Sequence, residues 1–238
     1  FGLMELGLQK GDKVATITGN RPEWSFVDMG LSQAGMIHVP VYPTISSEEY
    51  EYILRHSETK VVIVSTAAIY KKVAAILGRL EKKPEIFSFN DIEGLRPFRE
   101  LTTYGQEYAE KHRESLQGIR DQIDPEDMVT LIYTSGTTGN AKGVMLNHRN
   151  LVSNFVSTST AHHIGLGGRA ASFLPLCHVY ERMMNYHFQY KGISVYYIEN
   201  MASVAETLRE IKPNIFNTVP RLLERIYDNI IGKGKNLS

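Results

Sequence analysis

The sequence predicts an α/β fold in which mainly parallel strands are flanked by helices. Short apolar runs alternate with helix-period segments along most of the 238 residues, as expected for βαβ units. The clearest run is Val61-Val62-Ile63-Val64. Four β-branched residues in a row suit a strand whose two faces are both covered. Helices between such strands provide the crossover connections that parallel pairing requires.

The predicted elements before residue 128 follow each other regularly, and we interpret residues 1–127 as an amino-terminal α/β subdomain. Ser46-Ser47-Glu48-Glu49 has the pattern of a capping box, so a helix begins there. Residues 90–127 are charged and turn-rich, which predicts a surface connection with one helix over 102–116. Strands are predicted at 13–18, 38–42, 61–64 and 86–89, and further helices at 24–34 and 67–80.

Residues 128–238 are interpreted as a second α/β subdomain. Its first strand, 128–133, leads directly into a glycine-rich loop. Pro220 suits the first position of a helix over 221–231 because its fixed φ is helical and its missing N–H is not needed there. Other helices are predicted at 146–157, 179–190 and 204–211, and strands at 170–174, 193–198 and 215–219.

Composition excludes several classes of protein. Lysine plus arginine equal aspartate plus glutamate at 26 each, so no net field attracts nucleic acid, and we expect no nucleic-acid partner. The one cysteine, Cys177, excludes an internal disulfide and fits a reducing compartment. No apolar run reaches the roughly 20 residues that span a bilayer, and no secretory signal precedes the first strand. We expect a cytoplasmic protein.

The glycine-rich loop is the strongest functional signal. Thr134-Ser135-Gly136-Thr137-Thr138-Gly139 places four hydroxyls and two glycines directly after a strand. Glycines allow a close approach of the backbone to a ligand, and consecutive N–H groups in such a turn bind anions. Lys142 adds a positive charge three residues later. The segment predicts a polyphosphate site.

This loop has two other interpretations. A solvated Ser/Thr/Gly loop would have the same composition, but it does not require the preceding strand or the following Lys142-Gly143. A Walker-type loop requires glycine, four residues, then Gly-Lys-Ser/Thr. Gly136 and Gly139 are only three positions apart, so that pattern is not met.

The string closely resembles the phosphate-binding motif of the adenylate-forming superfamily, which includes acyl-CoA synthetases, luciferases and peptide-synthetase adenylation domains. Residues 34–43 and 143–150 resemble two further blocks of that superfamily. Residues 174–182 and 219–227 are similar to forms seen in its long-chain fatty acyl-CoA synthetase branch. Ala141 stands where the motif usually has proline, which loosens the loop without removing a phosphate ligand.

The resemblance implies a ligase that converts a long-chain fatty acid and ATP into acyl-AMP, and then into acyl-CoA. It implies that Thr134 helps to hold Mg²⁺, that Ser135, Gly136, Thr137, Thr138 and Gly139 wrap the phosphates, and that Lys142 neutralises their charge. His178 would line the acyl pocket. ATP, Mg²⁺ and coenzyme A are therefore the expected cofactor and co-substrates. Long-chain substrates partition into lipid, which leaves peripheral membrane contact open.

The superfamily's full chains are more than twice as long. Their adenine block, ribose-binding aspartate, hinge and catalytic lysine would follow residue 231. We therefore expect an amino-terminal portion that is inactive alone and holds no catalytic residue of its own. Two alternatives remain: a non-catalytic nucleotide- or phosphate-binding module, and an adenylate-forming enzyme with another acyl substrate or acceptor. Acyl chain length and oligomeric state are not predicted.

Five further residues have structural rather than catalytic interpretations. Glu181 and Arg182 are adjacent, so they cannot share one helix face, and both are predicted to form structural ion pairs. Cys177 is predicted to be a small buried residue. His162, with its neighbour His163, is predicted to lie on the surface, because two histidines without a nearby carboxylate make a weak metal site.

Overall fold

The computed structural model describes residues 1–134 and 141–235, without the side chains of residues 225, 229, 230 and 232–235. Within that part the strands are β1 Lys13–Ile17, β2 Ile37–Val41, β3 Val61–Val64, β4 Glu85–Ser88, β5 Arg96–Pro97, β6 Met128–Thr134, β7 Lys142–Asn147, β8 Arg169–Ser172, β9 Ser194–Tyr197 and β10 Ile215–Phe216. The helices are α1 Gly2–Glu5, α2 Pro22–Gln33, α3 Ser47–Ser57, α4 Ala67–Ala74, α5 Phe98–Glu107, α6 Ala109–Asp121, α7 His148–Thr158, α8 Val179–Tyr190, α9 Val204–Ile211 and α10 Pro220–Lys235, with 3₁₀ turns at Leu77–Arg79 and Met201–Ser203.

The predicted α/β fold is confirmed by a seven-stranded sheet in the order β5-β4-β3-β1-β2-β6-β7. Strands β1 to β6 pair in parallel, and β7 is antiparallel to β6. All four side chains of β3 are fully buried, as its β-branched sequence predicted. Burying one such side chain contributes about 1.5–3 kcal/mol. The centre of this sheet therefore contributes strongly to the stability of the fold.

The two faces of this sheet pack against different helices because successive strand residues point to opposite sides. Val62 and Val64 pack with apolar residues of α3 and α4. Val61 and Ile63 pack with apolar residues of α2, α5 and α6. The capping box predicted at Ser46 is present, since the Ser46 hydroxyl accepts from the Glu49 N–H and the Glu49 carboxylate accepts from the Ser46 N–H.

A second, three-stranded parallel sheet has the order β10-β8-β9. Helix α9 packs against one side of its core, around Phe173 and Leu174, and α8 contributes Phe188 to the other side. The boundary expected between residues 127 and 128 does not coincide with a break between sheets. Strand β6 pairs with β2 of the first sheet at His38 and Thr130, so the glycine-rich loop follows a strand of that first sheet.

The bounds predicted for two helices were wrong. The helix expected over 146–157 begins at His148, and residues 142–147 form the edge strand β7. That strand has no burial alternation, and Met145 is 71% exposed, so its sequence lacks the period of a half-buried strand. The helix expected over 67–80 ends at Ala74, before Gly78, a residue that disfavours helix.

The connection expected over 90–127 contains more secondary structure than predicted. It contains β5 and two helices, α5 and α6, in place of one helix over 102–116. Leu101 and Leu116 lie in the core beside the first sheet, so this segment covers the sheet. In the described ranges no helix is both long and apolar enough to cross a bilayer.

Candidate functional site

The predicted phosphate loop lies between the two strands of an antiparallel hairpin. Thr134 ends β6 and Lys142 begins β7, and the two residues are directly opposite each other. Opposed residues of an antiparallel pair project to the same face of the sheet, so the Thr134 hydroxyl and the Lys142 side chain share one face. Ser135, Gly136, Thr137, Thr138 and Gly139 lie outside the described residues.

A cleft of about 420 Å³ opens where β2 and β6 end. Parallel strands of open α/β sheets commonly place ligands at this edge. The cleft brings Thr134 and His178 together, although the sequence predicted these residues from separate motifs. Its other lining residues are mainly apolar: Pro40, Val41, Tyr42, Ile45, Glu49, Ile53, Ile132, Tyr133, Ala141 and Val179.

One wall of the cleft is fixed by buried tyrosines. The Tyr50 hydroxyl donates to the backbone oxygens of Tyr42 (3.2 Å) and Pro43 (2.9 Å), which holds the end of β2 against α3. The Tyr133 hydroxyl lies 2.7 Å from Nδ1 of His56. Burial raises the pKa of Tyr133 to about 12, so this hydroxyl stays protonated at neutral pH and forms a hydrogen bond with the imidazole. The residue before Thr134 is thereby held in place.

His178 is the amino-terminal cap of α8. Its Nδ1 accepts a hydrogen bond from the Tyr180 N–H at 3.2 Å, as capping side chains do. The imidazole is exposed and reaches the cleft. Cys177 beside it is buried, as predicted. Burial raises the pKa of the Cys177 thiol to about 12, so this side chain is not a nucleophile at neutral pH.

The described residues fit a magnesium ion only as a companion of phosphate. Thr134 contributes one hydroxyl oxygen, and the described part of the chain contains no group of three or more His, Cys, Asp or Glu residues that could hold a metal. Mg²⁺ commonly keeps water ligands and binds to one or two protein oxygens together with substrate phosphates. Thr134 suits that type of coordination, with most ligands coming from phosphate and water.

A buried charged network behind His178 was only partly predicted. Arg182 is fully buried and forms an ion pair with Asp28 of α2, which confirms the ion pair predicted for Arg182. The prediction for Glu181 was wrong: its buried carboxylate accepts from Asn217 Nδ2 at 3.1 Å. Burial raises the pKa of Glu181.

Asp28 is the centre of this network. Burial by itself would raise its pKa, but Arg182, His38 and Tyr186 together lower the pKa to about 2. The Tyr186 hydroxyl donates to Asp28 Oδ2 at 2.5 Å, and His38 Nδ1 lies 2.7 Å from Asp28 Oδ1. Burial lowers the pKa of His38, so its imidazole is neutral at pH 7 and donates from Nδ1 to the carboxylate.

The surface position predicted for His162 was also wrong. His162 is half-buried, and its Nε2 lies 2.7 Å from Nε2 of the fully buried His187. The Ile164 N–H donates to His162 Nδ1 at 3.2 Å, so neutral His162 carries its proton on Nε2 and donates to His187. This pair connects the segment after α7 to α8, which a sequence pattern could not indicate.

Comparison with known proteins assigns the family. The model of the AMP-binding enzyme family matches residues 2–237, nearly the whole chain. The protein therefore belongs to the AMP-binding enzyme family, as its loop and blocks predicted.

Similar proteins include several long-chain acyl-CoA synthetases. The chain is 31% identical to a long-chain-fatty-acid–CoA ligase of Mycobacterium bovis, over 96% of this chain and 38% of that protein. It is 30% identical to human long-chain-fatty-acid–CoA ligase 1, over 95% and 35%. It is 29% identical to a peroxisomal long chain acyl-CoA synthetase of Arabidopsis thaliana, over 98% and 34%. The chain spans about a third of the length of these curated relatives.

Solved structures share the fold. A putative long-chain-fatty-acid CoA ligase from Rhodopseudomonas palustris superposes with a TM-score of 0.77 at 22% identity, over 95% of this chain and 55% of that one. A long-chain-fatty-acid–CoA ligase from Archaeoglobus fulgidus gives 0.76 at 22% identity, over 97% and 44%. The arrangement of the two sheets is therefore that of known ligase domains.

Proposed function

We propose that the whole protein activates a long-chain fatty acid with ATP, and that this chain supplies its phosphate-binding loop and part of its acyl pocket. The observation that supports this most directly is the cleft shared by Thr134 and His178. The cleft is lined in part by Thr134 and Ala141, which come before and after the predicted phosphate loop in the sequence, and most of its lining is apolar. A substrate with an anionic head and an apolar tail matches both features.

The proposed reaction has two steps. A carboxylate oxygen of the fatty acid attacks the α-phosphorus of ATP, and pyrophosphate leaves with the electron pair of the broken P–O bond. The thiol of coenzyme A then attacks the acyl carbonyl, loses its proton, and AMP leaves. Charge accumulates on phosphate oxygens in the first step, so positioning and electrostatic stabilisation provide most of the acceleration.

Each site residue has a defined part in this proposal. The Thr134 hydroxyl and the backbone N–H groups of 135–139 would hold the β- and γ-phosphates. Lys142, on the same face of the hairpin as Thr134, would neutralise their charge. His178 would contact the carboxylate end of the fatty acid. Mg²⁺, when bound with ATP, would neutralise further phosphate charge next to Thr134.

Titration of the chain with Mg·ATP tests the phosphate site. Replacing Lys142 by Met should weaken ATP affinity about tenfold, the loss expected for one charge-assisted contact worth about 1.4 kcal/mol. Lys83→Met is the matched control, since Lys83 is also exposed and distant from the hairpin. Equal affinities for the two variants would contradict the assignment of Lys142.

The substrate class has to be tested with the whole protein. Its rate of acyl-CoA formation should rise from acetate to palmitate and oleate, and should depend on ATP, Mg²⁺ and coenzyme A. ATP binding without acyl-AMP or acyl-CoA formation would favour the second candidate, a non-catalytic nucleotide-binding module. A preference for short or aromatic acids would indicate an adenylate-forming enzyme with another acyl substrate.

A further inference from the structure

Asn20 contacts the backbone before His178, and Arg182 lies one helical turn after it. His178 itself is exposed, and its imidazole forms a local hydrogen bond to the next turn of its own helix. Such a side chain does not by itself fix its position relative to another residue of the cleft such as Thr134. Its position follows from the backbone before and after it.

The backbone before His178 is held by a carboxamide. Asn20 Nδ2 donates to the Leu174 oxygen at 2.7 Å, and the Leu176 N–H donates to Asn20 Oδ1 at 3.1 Å. Asn20 follows β1, at the edge of the first sheet where the cleft opens, and is 7% exposed. The asparagine carboxamide carries a donor and an acceptor on one planar group. The two bonds attach the segment between β8 and α8 to the first sheet.

The backbone after His178 is held by Arg182. Its Nε donates to Asp28 Oδ2 at 3.2 Å and its Nη1 donates to the Thr130 hydroxyl at 2.6 Å. Asp28 belongs to α2 and Thr130 to β6, the strand that ends at Thr134. The backbone N–H of Arg182 also donates to the backbone oxygen of His178 at 3.2 Å. Because this bond joins the two residues, a displacement of Arg182 also moves His178.

We propose that Asn20 and Arg182 are positioning residues that set where His178 stands relative to Thr134 in the cleft. Both attach α8 and the segment before it to the elements that carry the phosphate hairpin. The inference rests on the proposed acyl-pocket role of His178. It adds that this role depends on two residues that do not line the cleft.

The test compares His178 and fatty-acid binding in variants of the chain. Asn20→Ala removes both hydrogen bonds, and Asn20→Asp removes the donor while keeping the shape. Arg182→Lys keeps a cation next to Asp28 and removes the planar fork. Asn214→Ala is the control, because Asn214 accepts from the Arg169 N–H at 2.9 Å and so supports the opposite end of β8.

The first measurement is the NMR signal of the His178 ring without ligand, assigned with His178→Gln. We expect the Asn20 and Arg182 variants to shift this signal more than that of His112, which lies on α6. The second is titration with laurate. We expect about tenfold weaker binding in these variants and no change in Asn214→Ala. General loosening of β8 would weaken binding in the control as well.

The outcomes separate the two proposals. An unshifted His178 signal in the Asn20 and Arg182 variants overturns the positioning role, whatever laurate does. Loss of folding in all three also overturns it, because these residues would then belong to the core alone. Laurate affinity that is unchanged in His178→Gln contradicts the acyl-pocket role instead, and the ring signal still decides whether Asn20 and Arg182 position that residue.

Discussion

Replacing Asp28 by Asn should strongly destabilise the fold. The substitution keeps the shape of the side chain and removes its charge, which leaves Arg182 fully buried without its carboxylate. Removing one partner of a buried ion pair costs about 3–5 kcal/mol, because the remaining charge is not compensated. A domain is stable by only about 5–15 kcal/mol, so this variant would lose a large part of its stability.

The acid dependence of stability gives a second estimate of the same contribution. The ordinary pKa of Asp28 is 3.8 and the folded protein lowers it to about 2. A carboxyl whose folded pKa is lowered stabilises the protein above the unfolded pKa, and this stabilisation is lost as the pH falls through the folded pKa. The difference corresponds to about 2 kcal/mol, lost between about pH 4 and pH 2. The Asp28→Asn substitution should abolish this part of the acid dependence.

Urea unfolding followed by circular dichroism measures the effect at pH 7 and pH 3. Asp91→Asn is the matched control, since Asp91 pairs with Arg99 at the surface and both are mostly exposed. Exposed pairs contribute little, so its midpoint should not change. Adding Arg182→Met to the Asp28→Asn variant should recover part of the loss, because it removes the unpaired cation. A single substitution that costs under about 1 kcal/mol, or a double variant whose losses simply add, would refute the reasoning.

Three further predictions concern other groups. Burial raises the pKa of Cys177 to about 12, so a disulfide reagent should modify this thiol slowly at pH 8 and rapidly in urea; rapid native labelling would contradict its burial. Ser46→Ala removes one side of the capping box and should cost about 1 kcal/mol in urea unfolding, whereas an unchanged midpoint would show that the cap is not used. Burial lowers the pKa of His187, so its ring signals should titrate below pH 6.5. The neutral imidazole contributes stability above pH 6.5, and this contribution should be lost as the pH falls from 6.5 through the lowered pKa. Titration of the ring above pH 6.5 would contradict the prediction.

The first sheet was predictable because its signals are local. Val61–Val64 is apolar at every position since helices cover both faces, and Ser46 and Glu49 specify a helix start through contacts three residues apart. Strand β7 was not predictable. It lies at the sheet edge, where exposed Met145 and Val144 are held by pairing with β6, and hydrogen bonds to a neighbouring strand leave no pattern in the strand's own sequence.

The candidate site, too, was predictable from the sequence only in part. The hydroxyl- and glycine-rich string and the histidine after Leu174-Pro175-Leu176-Cys177 could each be found by reading a few residues. Their common cleft, and the supports behind it, depend on contacts across the chain. Asn20 and Leu174 are 154 positions apart, as are Asp28 and Arg182. Polar side chains at such separations have no recognisable spacing, and only the packing of α8 and of the segment before it against the first sheet brings them together.

Helix α8 also explains why two adjacent charged residues are both buried and have different partners. Successive residues of a helix point about 100° apart at 3.6 residues per turn. Arg182 faces the first sheet and meets Asp28 and Thr130, whereas Glu181 faces the second sheet and meets Asn217, directly after β10. A helix that is covered by sheets on two sides has no solvent-facing position for either charge. Two adjacent residues of a helix between two sheets therefore meet different partners, as Arg182 and Glu181 do, and His178 caps the first turn of that helix.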